Sequence, residues 1–336
     1  MRKEAMLYKK LDSGLVRCRL CAHRCTIKPD RLGICGVRQN LEGTLYTLVY
    51  AEAIAVHVDP IEKKPIYNFL PGTRSFSIAT MGCNFRCTFC QNADISQAPK
   101  DGITLKAEEF PPPQVVAAAE RYACDSIAYT YTEPTVFFEY AYDTAKLAHE
   151  KGISNIFVTN GYMTMEALEE IDPYLDAANV DLKSFDDEFY RRVCGAKLQP
   201  VLETIEGMHK RGVWVEVTTL LIPGLNDSDG ELRQIAEFIA EVSLDVPWHV
   251  SRFTPRYRML DKPATPVERI HRAAEIGREA GLNYVYVGNV PGNANENTVC
   301  PSCGAVAISR VGYHTTLNLE GNKCASCRQE LAVIRG

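Results

Sequence analysis

Cys83, Cys87 and Cys90 are the side chains best placed in this sequence to do chemistry. They lie in Met81-Gly82-Cys83-Asn84-Phe85-Arg86-Cys87-Thr88-Phe89-Cys90-Gln91-Asn92. Three thiolates this close together can fold around one iron–sulfur cluster, and a four-iron cubane held by three of them lacks a protein ligand on its fourth iron. That open iron is the expected seat of reaction. A zinc knuckle with a fourth ligand elsewhere is the bland alternative. Two further groups bring the clustered cysteines to eleven of thirteen. Cys18, Cys21, Cys25 and Cys35 are spaced Cys-x2-Cys-x3-Cys-x9-Cys, with glycines beside the last. Structural zinc is the preferred reading there and an auxiliary iron–sulfur cluster its rival, because thiolates accept either metal. His23 is a substitute ligand on paper and a solvated histidine by preference. Cys300, Cys303, Cys324 and Cys327 form two Cys-x2-Cys knuckles, a zinc-ribbon or rubredoxin-like signal, with mononuclear iron as the alternative to zinc. Cys124 and Cys194 remain. Packing is expected for both, and a radical-relay role is the rival for Cys194.

The spacing Cys-x3-Cys-x2-Cys, with aromatic Phe89 before the last cysteine, resembles the radical S-adenosylmethionine (SAM) signature. The resemblance implies a [4Fe–4S] cluster on Cys83, Cys87 and Cys90, with SAM chelating the open iron and Phe89 among the cofactor contacts. It also implies that one electron cleaves SAM to methionine and a 5′-deoxyadenosyl radical, which takes a hydrogen atom from the substrate.

Such a site needs a scaffold, and the chain is long enough to supply one. Its 336 residues, 46% of them hydrophobic, suit one α/β domain of barrel size with small additions. A net charge of −5 and a pI near 5.9 disfavour a non-specific nucleic-acid binder. No apolar run reaches the roughly 18 residues of a membrane span, and no apolar stretch follows Met1-Arg2-Lys3, so a cytoplasmic protein is expected. From residue 75, β-type runs at 75–81, 126–132, 155–160, 177–183, 213–222, 247–253 and 283–288 alternate with helix-type patterns. The helices are expected near 113–123, 136–151, 164–171, 199–211, 229–242 and 265–281. This alternation predicts a parallel sheet with right-handed crossovers. Six or seven units fall short of the eight of a closed barrel, so the expected fold is an open, partial TIM-type β/α barrel. Its expected divisions are a four-cysteine metal-binding region and hairpin lead-in at 1–72, the barrel at 73–292, and a zinc-ribbon-like tail at 293–336.

The C-terminal ends of these runs collect ionisable groups. Glu133 follows the second, Asp181 and Lys183 end the fourth, and His249 lies in the sixth. A carboxylate accepts from an ammonium, and Lys or His donates to a carboxylate, which is what the methionine moiety of SAM requires. Each also has a purely structural reading. Asp181 and Lys183 share a strand face and can pair, Glu133 can serve a helix N-terminus, and His249 can be a hydrogen-bonded core residue. The same segments resemble the pyruvate formate-lyase activating enzyme branch of the superfamily. That resemblance implies SAM-holding roles for Thr132-Glu133-Pro134, for Asp181 with Lys183, and for His249. Tyr131-Thr132 stands where that branch has two glycines, which restricts backbone approach to a ligand. With Asn68-Phe69-Leu70-Pro71-Gly72, Pro247-Trp248-His249-Val250-Ser251-Arg252-Phe253 and Val287-Gly288-Asn289-Val290-Pro291-Gly292 included, nearly the whole chain resembles the AmmeMemoRadiSam system radical SAM enzyme. That family implies AMMECR-like and Memo-like partner proteins and a flavodoxin- or ferredoxin-like electron donor.

The expected function is therefore an oxidoreductase that generates a SAM-derived radical. Its expected substrate is a protein, converted to a glycyl radical, or a small molecule or lipid. The contrasting hypothesis is a non-enzymatic, multi-zinc interaction protein in which all three cysteine groups are structural.

Overall fold

The computed structural model describes residues 1–336. Its centre is an eight-stranded sheet. In chain order the strands are β1 (Ala55–Pro60), β2 (Arg74–Ala79), β3 (Ser126–Tyr129), β4 (Ser154–Thr159), β5 (Ala177–Asp181), β6 (Trp214–Leu221), β7 (Trp248–Arg252) and β8 (Val285–Gly288). Spatial order follows chain order. β2 to β8 are parallel, and β1 runs antiparallel along the edge of β2. β1 and β8 do not pair, so the sheet curves without closing. All seven expected parallel strands are present, and the eighth comes from the lead-in.

Six helices cover the outer face: α1 (Pro112–Arg121), α2 (Phe138–Glu150), α3 (Met165–Ile171), α4 (Gln199–Lys210), α5 (Asp229–Val242) and α6 (Val267–Glu279). Their apolar stripes bury residues such as Val115, Ala141, Leu168, Ile205, Ile239 and Ile276 against the outer face of the sheet. Local signals set the helix starts. Pro112 occupies the first turn of α1, where a missing N–H costs nothing. Thr164 caps α3 by accepting from Ala167 N at 3.1 Å. Ser228 caps α5 through Glu231 N, but the Glu231 carboxylate does not close the box. It accepts from Ser184 Oγ and Phe185 N instead, fixing the loop after β5.

The lead-in between β1 and β2 plugs the barrel interior. Asn179 Nδ2 donates to Pro65 O at 2.8 Å, and lower down Glu216 of β6 accepts from Tyr67 N, Asn68 N and Trp214 Nε1. Its fourth partner is His249 Nε2 at 2.6 Å. The C-terminal ribbon closes this floor from outside. Asn68 bonds Ala332 O and the Tyr286 hydroxyl, while buried Arg310 donates to Tyr67 O and lies over the Tyr67 ring. The tail cysteines are thus carried at the end of the sheet opposite the Cys83–Cys90 loop.

Glu216 is fully buried, so its removal orphans three N–H donors and His249 at once. Glu216→Ala is expected to lower stability by about 3 kcal/mol, measured from urea unfolding midpoints. A loss below about 1 kcal/mol, the size of one ordinary hydrogen bond, would show that the ribbon alone holds the floor.

Candidate active site

β2 ends at Ala79, and the chain turns directly into the cysteine loop. Cys83, Cys87 and Cys90 line one cleft of about 430 Å³ at the C-terminal ends of the strands. Hydrogen-bond donors are aimed at two of the sulfurs. Phe85 N lies 3.4 Å from Cys83 Sγ, Asn160 Nδ2 lies 3.7 Å from the same atom, and Ser96 Oγ lies 3.2 Å from Cys90 Sγ. Such donors suit thiolates that carry a metal cluster. The loop is held from behind by a five-residue π-helical turn, Tyr190–Cys194, whose carbonyls accept from Arg86 N and Thr88 N. Cys194 is wholly buried in that turn and is absent from the cleft wall. A hydrogen bond with Cys194 and burial push the Cys87 thiol well up. Cys194 therefore lies behind Cys87 and does not face the cleft. Cys124 is buried near the end of α1, as a packing role requires.

Asp181 and Lys183 reach the cleft from the end of β5, and they form an ion pair at 2.7 Å. The Asp181 side chain is 38% exposed and that of Lys183 13%, so one carboxylate face stays open to the cleft. Phe89 lines the same space, with the Lys183 ammonium 5.8 Å from its ring centre.

Two expected cofactor contacts lie elsewhere. Glu133 is fully buried and does not line the cleft. Its carboxylate accepts from Thr135 N, Thr135 Oγ1, Thr159 Oγ1 and Asn160 N at 2.6–2.9 Å. Burial pushes its pKa up, opposed by those same donors. Glu133 thus clamps the ends of β3 and β4 together. His249 is also buried, below the cleft, bonded to Glu216 and packed edge-on to Tyr67. Residues two apart on a strand share a face, and it is Ser251, one step nearer the C-terminal end of β7, that lines the cleft. In this structure both side chains are thus engaged by buried protein partners.

Tyr131, at the position of an expected glycine, adopts φ +62°, the backbone region glycine would favour. Its hydroxyl bonds Asp59 and its carbonyl accepts from Asn92 Nδ2 at 2.8 Å, which offsets the strain. Asn92, Thr130, Asn160 and Ser251 are among the further polar residues of the lining. Asn160 was readable from its place at a strand end. Asn92 had no signal beyond its nearness to Cys90.

The other cysteine groups differ from each other in geometry. Cys300, Cys303, Cys324 and Cys327 have all four sulfurs within 4.8 Å of one another, with Cys300–Cys327 at 3.6 Å and Cys303–Cys324 at 3.7 Å. Tetrahedral zinc with bonds of about 2.3 Å sets its thiolates about 3.8 Å apart, so the tail is closed to zinc size. The N-terminal tetrad lines a separate cavity beside Asn84. Its segment docks on the loop after β4 through Ala22 N to Tyr162 O, Thr164 N to Leu20 O, and ion pairs from Arg19 and Arg24 to Glu166.

Comparison with known proteins places the chain among related sequences and folds. A family model described as Radical SAM superfamily matches residues 77–239. An uncharacterised protein of Methanocaldococcus jannaschii is 44% identical over 336 residues, covering 99% of each chain. A pyruvate formate-lyase-activating enzyme of Clostridium pasteurianum is 27% identical over 174 residues, 51% of this chain and 71% of that one. Among solved structures, a radical SAM methyltransferase from Sphaerobacter thermophilus superposes with a TM-score of 0.52 at 19% identity, covering 69% of this chain and 71% of that one. No helix is long and apolar enough to cross a membrane.

Proposed function

This chain belongs to the radical SAM superfamily and is an enzyme, and from that premise we propose that Cys83, Cys87 and Cys90 hold its [4Fe–4S] cluster while Asp181, Lys183 and Phe89 orient SAM. The observation that carries this reading is the convergence of all six side chains on one cleft. Bound there, the cluster would supply one electron for reductive cleavage of SAM, and SAM the radical chemistry that takes hydrogen from a substrate.

The chain's own residues do the rest. Asp181 accepts from the ammonium of the methionine moiety, and Lys183 donates to its carboxylate once the pair opens. Asn160 and Ser96 donate to the cluster thiolates and set their basicity. The packed floor of Tyr67, His249 and Tyr286 keeps water from entering from below. Glu133 holds the cleft rim in shape. The ribbon's role is structural, with zinc as its metal, because it seals the barrel at the end remote from the cleft.

We favour hydrogen abstraction from a polypeptide over a small molecule or lipid. The support is the resemblance to an activating enzyme and a sheet left open between β1 and β8. A flavodoxin- or ferredoxin-like protein supplies the electron, and AMMECR-like and Memo-like proteins are the proposed partners. Membership of an enzyme superfamily removes the reading as a non-enzymatic multi-zinc protein.

The test is anaerobic incubation of the iron-loaded protein with dithionite and SAM. 5′-Deoxyadenosine and methionine are expected in equal amounts. Fully loaded protein that leaves SAM intact would overturn the assignment.

A further inference from the structure

We infer that the cavity between Cys18, Cys21, Cys25 and Cys35 is the seat of a second iron–sulfur cluster, held by those four thiolates. The inference concerns a site outside the cleft and does not depend on which residues orient SAM.

The separation of the sulfurs is the first reason. Among all His, Cys, Asp and Glu side chains, the tail tetrad is the only set of three or more whose ligand atoms lie mutually within 4.8 Å. No three N-terminal sulfurs meet that limit, even with His23 counted. A single zinc ion requires about 3.8 Å between thiolates, whereas a cluster spreads its thiolates over several irons. Cys83, Cys87 and Cys90 are spread beyond the same limit. The N-terminal sulfurs are thus not gathered to single-ion size, as those of the ribbon are.

They also enclose space. A cavity of about 20 Å³ lies between them, lined by Cys18, Cys21, Cys25, Cys35, Arg38 and Asn84. By this measure the space admits about one water molecule, so the four sulfurs are not closed on one another.

The third reason is a pair of buried donors with nothing to bond. Arg38 is 2% exposed and spends one amino group on Glu139, but its Nε and Nη1 have no partner. Asn84 is 1% exposed, its Oδ1 accepts from Asn160, and its Nδ2 has no partner. An unmet buried donor costs about 1–3 kcal/mol, so two residues on one cavity wall signal an acceptor inside it. The sulfides and thiolates of an anionic cluster meet that need, and the Arg38 guanidinium offsets their charge.

The wall is shared with the active site. The carbonyl of Asn84 accepts from His23 Nε2 at 2.9 Å, with Cys83 as its chain neighbour. Gly82 has φ +99°, and a Cβ there would meet Val37 Cγ1 at 2.7 Å and Cys35 O at 3.2 Å. Only glycine lets the two cysteine loops approach this closely.

The test is iron, sulfide and zinc content of anaerobically purified, reconstituted full-length protein. The wild type is expected to hold about six to eight irons and matching sulfide, with about one zinc in the tail. Cys18→Ser with Cys35→Ser should lose two to four irons (about one cluster) and no zinc. Because that variant touches the N-terminal fold, a second one leaves it alone: Cys83→Ala with Cys87→Ala and Cys90→Ala. This triple variant should keep its sulfide, about two to four irons and the electron paramagnetic resonance signal of a reduced cluster, with the tail zinc reporting a folded chain. A triple variant with zinc at about two equivalents and no sulfide would overturn the inference. Failure of SAM cleavage in the wild type would not bear on these metal counts, so the two readings fail separately.

Discussion

Cys87→Ala is expected to abolish 5′-deoxyadenosine formation and to remove about four irons with their sulfide, leaving the tail zinc in place. The effect should be total. If three protein thiolates hold a four-iron cluster, as proposed, none is spare to replace a lost one. Cys194 is the nearest candidate for rescue, since its thiol lies beside Cys87. It is held in the π-helical turn by its own carbonyl bond to Arg86 N and does not line the cleft. Rescue through Cys194 would require that turn to unwind. A double variant, Cys87→Ala with Cys194→Ser, should therefore match Cys87→Ala in iron content. Preserved SAM cleavage in Cys87→Ala would remove the central assignment. Preserved cleavage lost only in the double variant would show that Cys194 can act as a ligand.

How far the sequence could be read depended on whether position alone fixes a role. The parallel strands were legible because runs such as Ser126–Tyr129 are short, largely apolar and bounded by turn residues. The gathering of Cys83, Cys87 and Cys90 on one cleft was legible because metal ligation demands a residue type at a spacing. Glu133 and His249 show where this stops. Both lie near strand ends, and both are ionisable, yet each is spent on partners from distant segments. The four donors to Glu133 include Thr159 and Asn160, and the partner of His249 is Glu216, itself bonded to the lead-in at Tyr67 and Asn68. Depth along a strand decides between cleft and core. One register step separates His249 from Ser251, and no local pattern announces which step reaches the cleft. The lead-in's role as a plug was hidden for the same reason, since its bonds join residues about 150 positions apart.

The contrast between Asp181 and His249 gives the second large prediction. Asp181→Asn is expected to weaken SAM binding about 10- to 100-fold, since a hydrogen bond to a charged partner contributes about 1.5–3 kcal/mol. Cluster content should be unchanged, because Asp181 is not within the cysteine loop and its one ion-pair partner is Lys183. His249→Gln, in contrast, should leave SAM affinity near that of the wild type and lower the unfolding midpoint, since its ring nitrogen is occupied by Glu216. Equilibrium dialysis with labelled SAM, on samples matched for iron and sulfide, separates the two. Equal affinity in Asp181→Asn would mean that the carboxylate serves only to neutralise Lys183. Loss of SAM binding in His249→Gln at full cluster loading would mean that the histidine leaves its Glu216 partner when SAM enters. The geometry favours Asp181: its half-exposed carboxylate needs only the pair with Lys183 to open, whereas freeing His249 would strand a buried glutamate and uncouple the barrel floor.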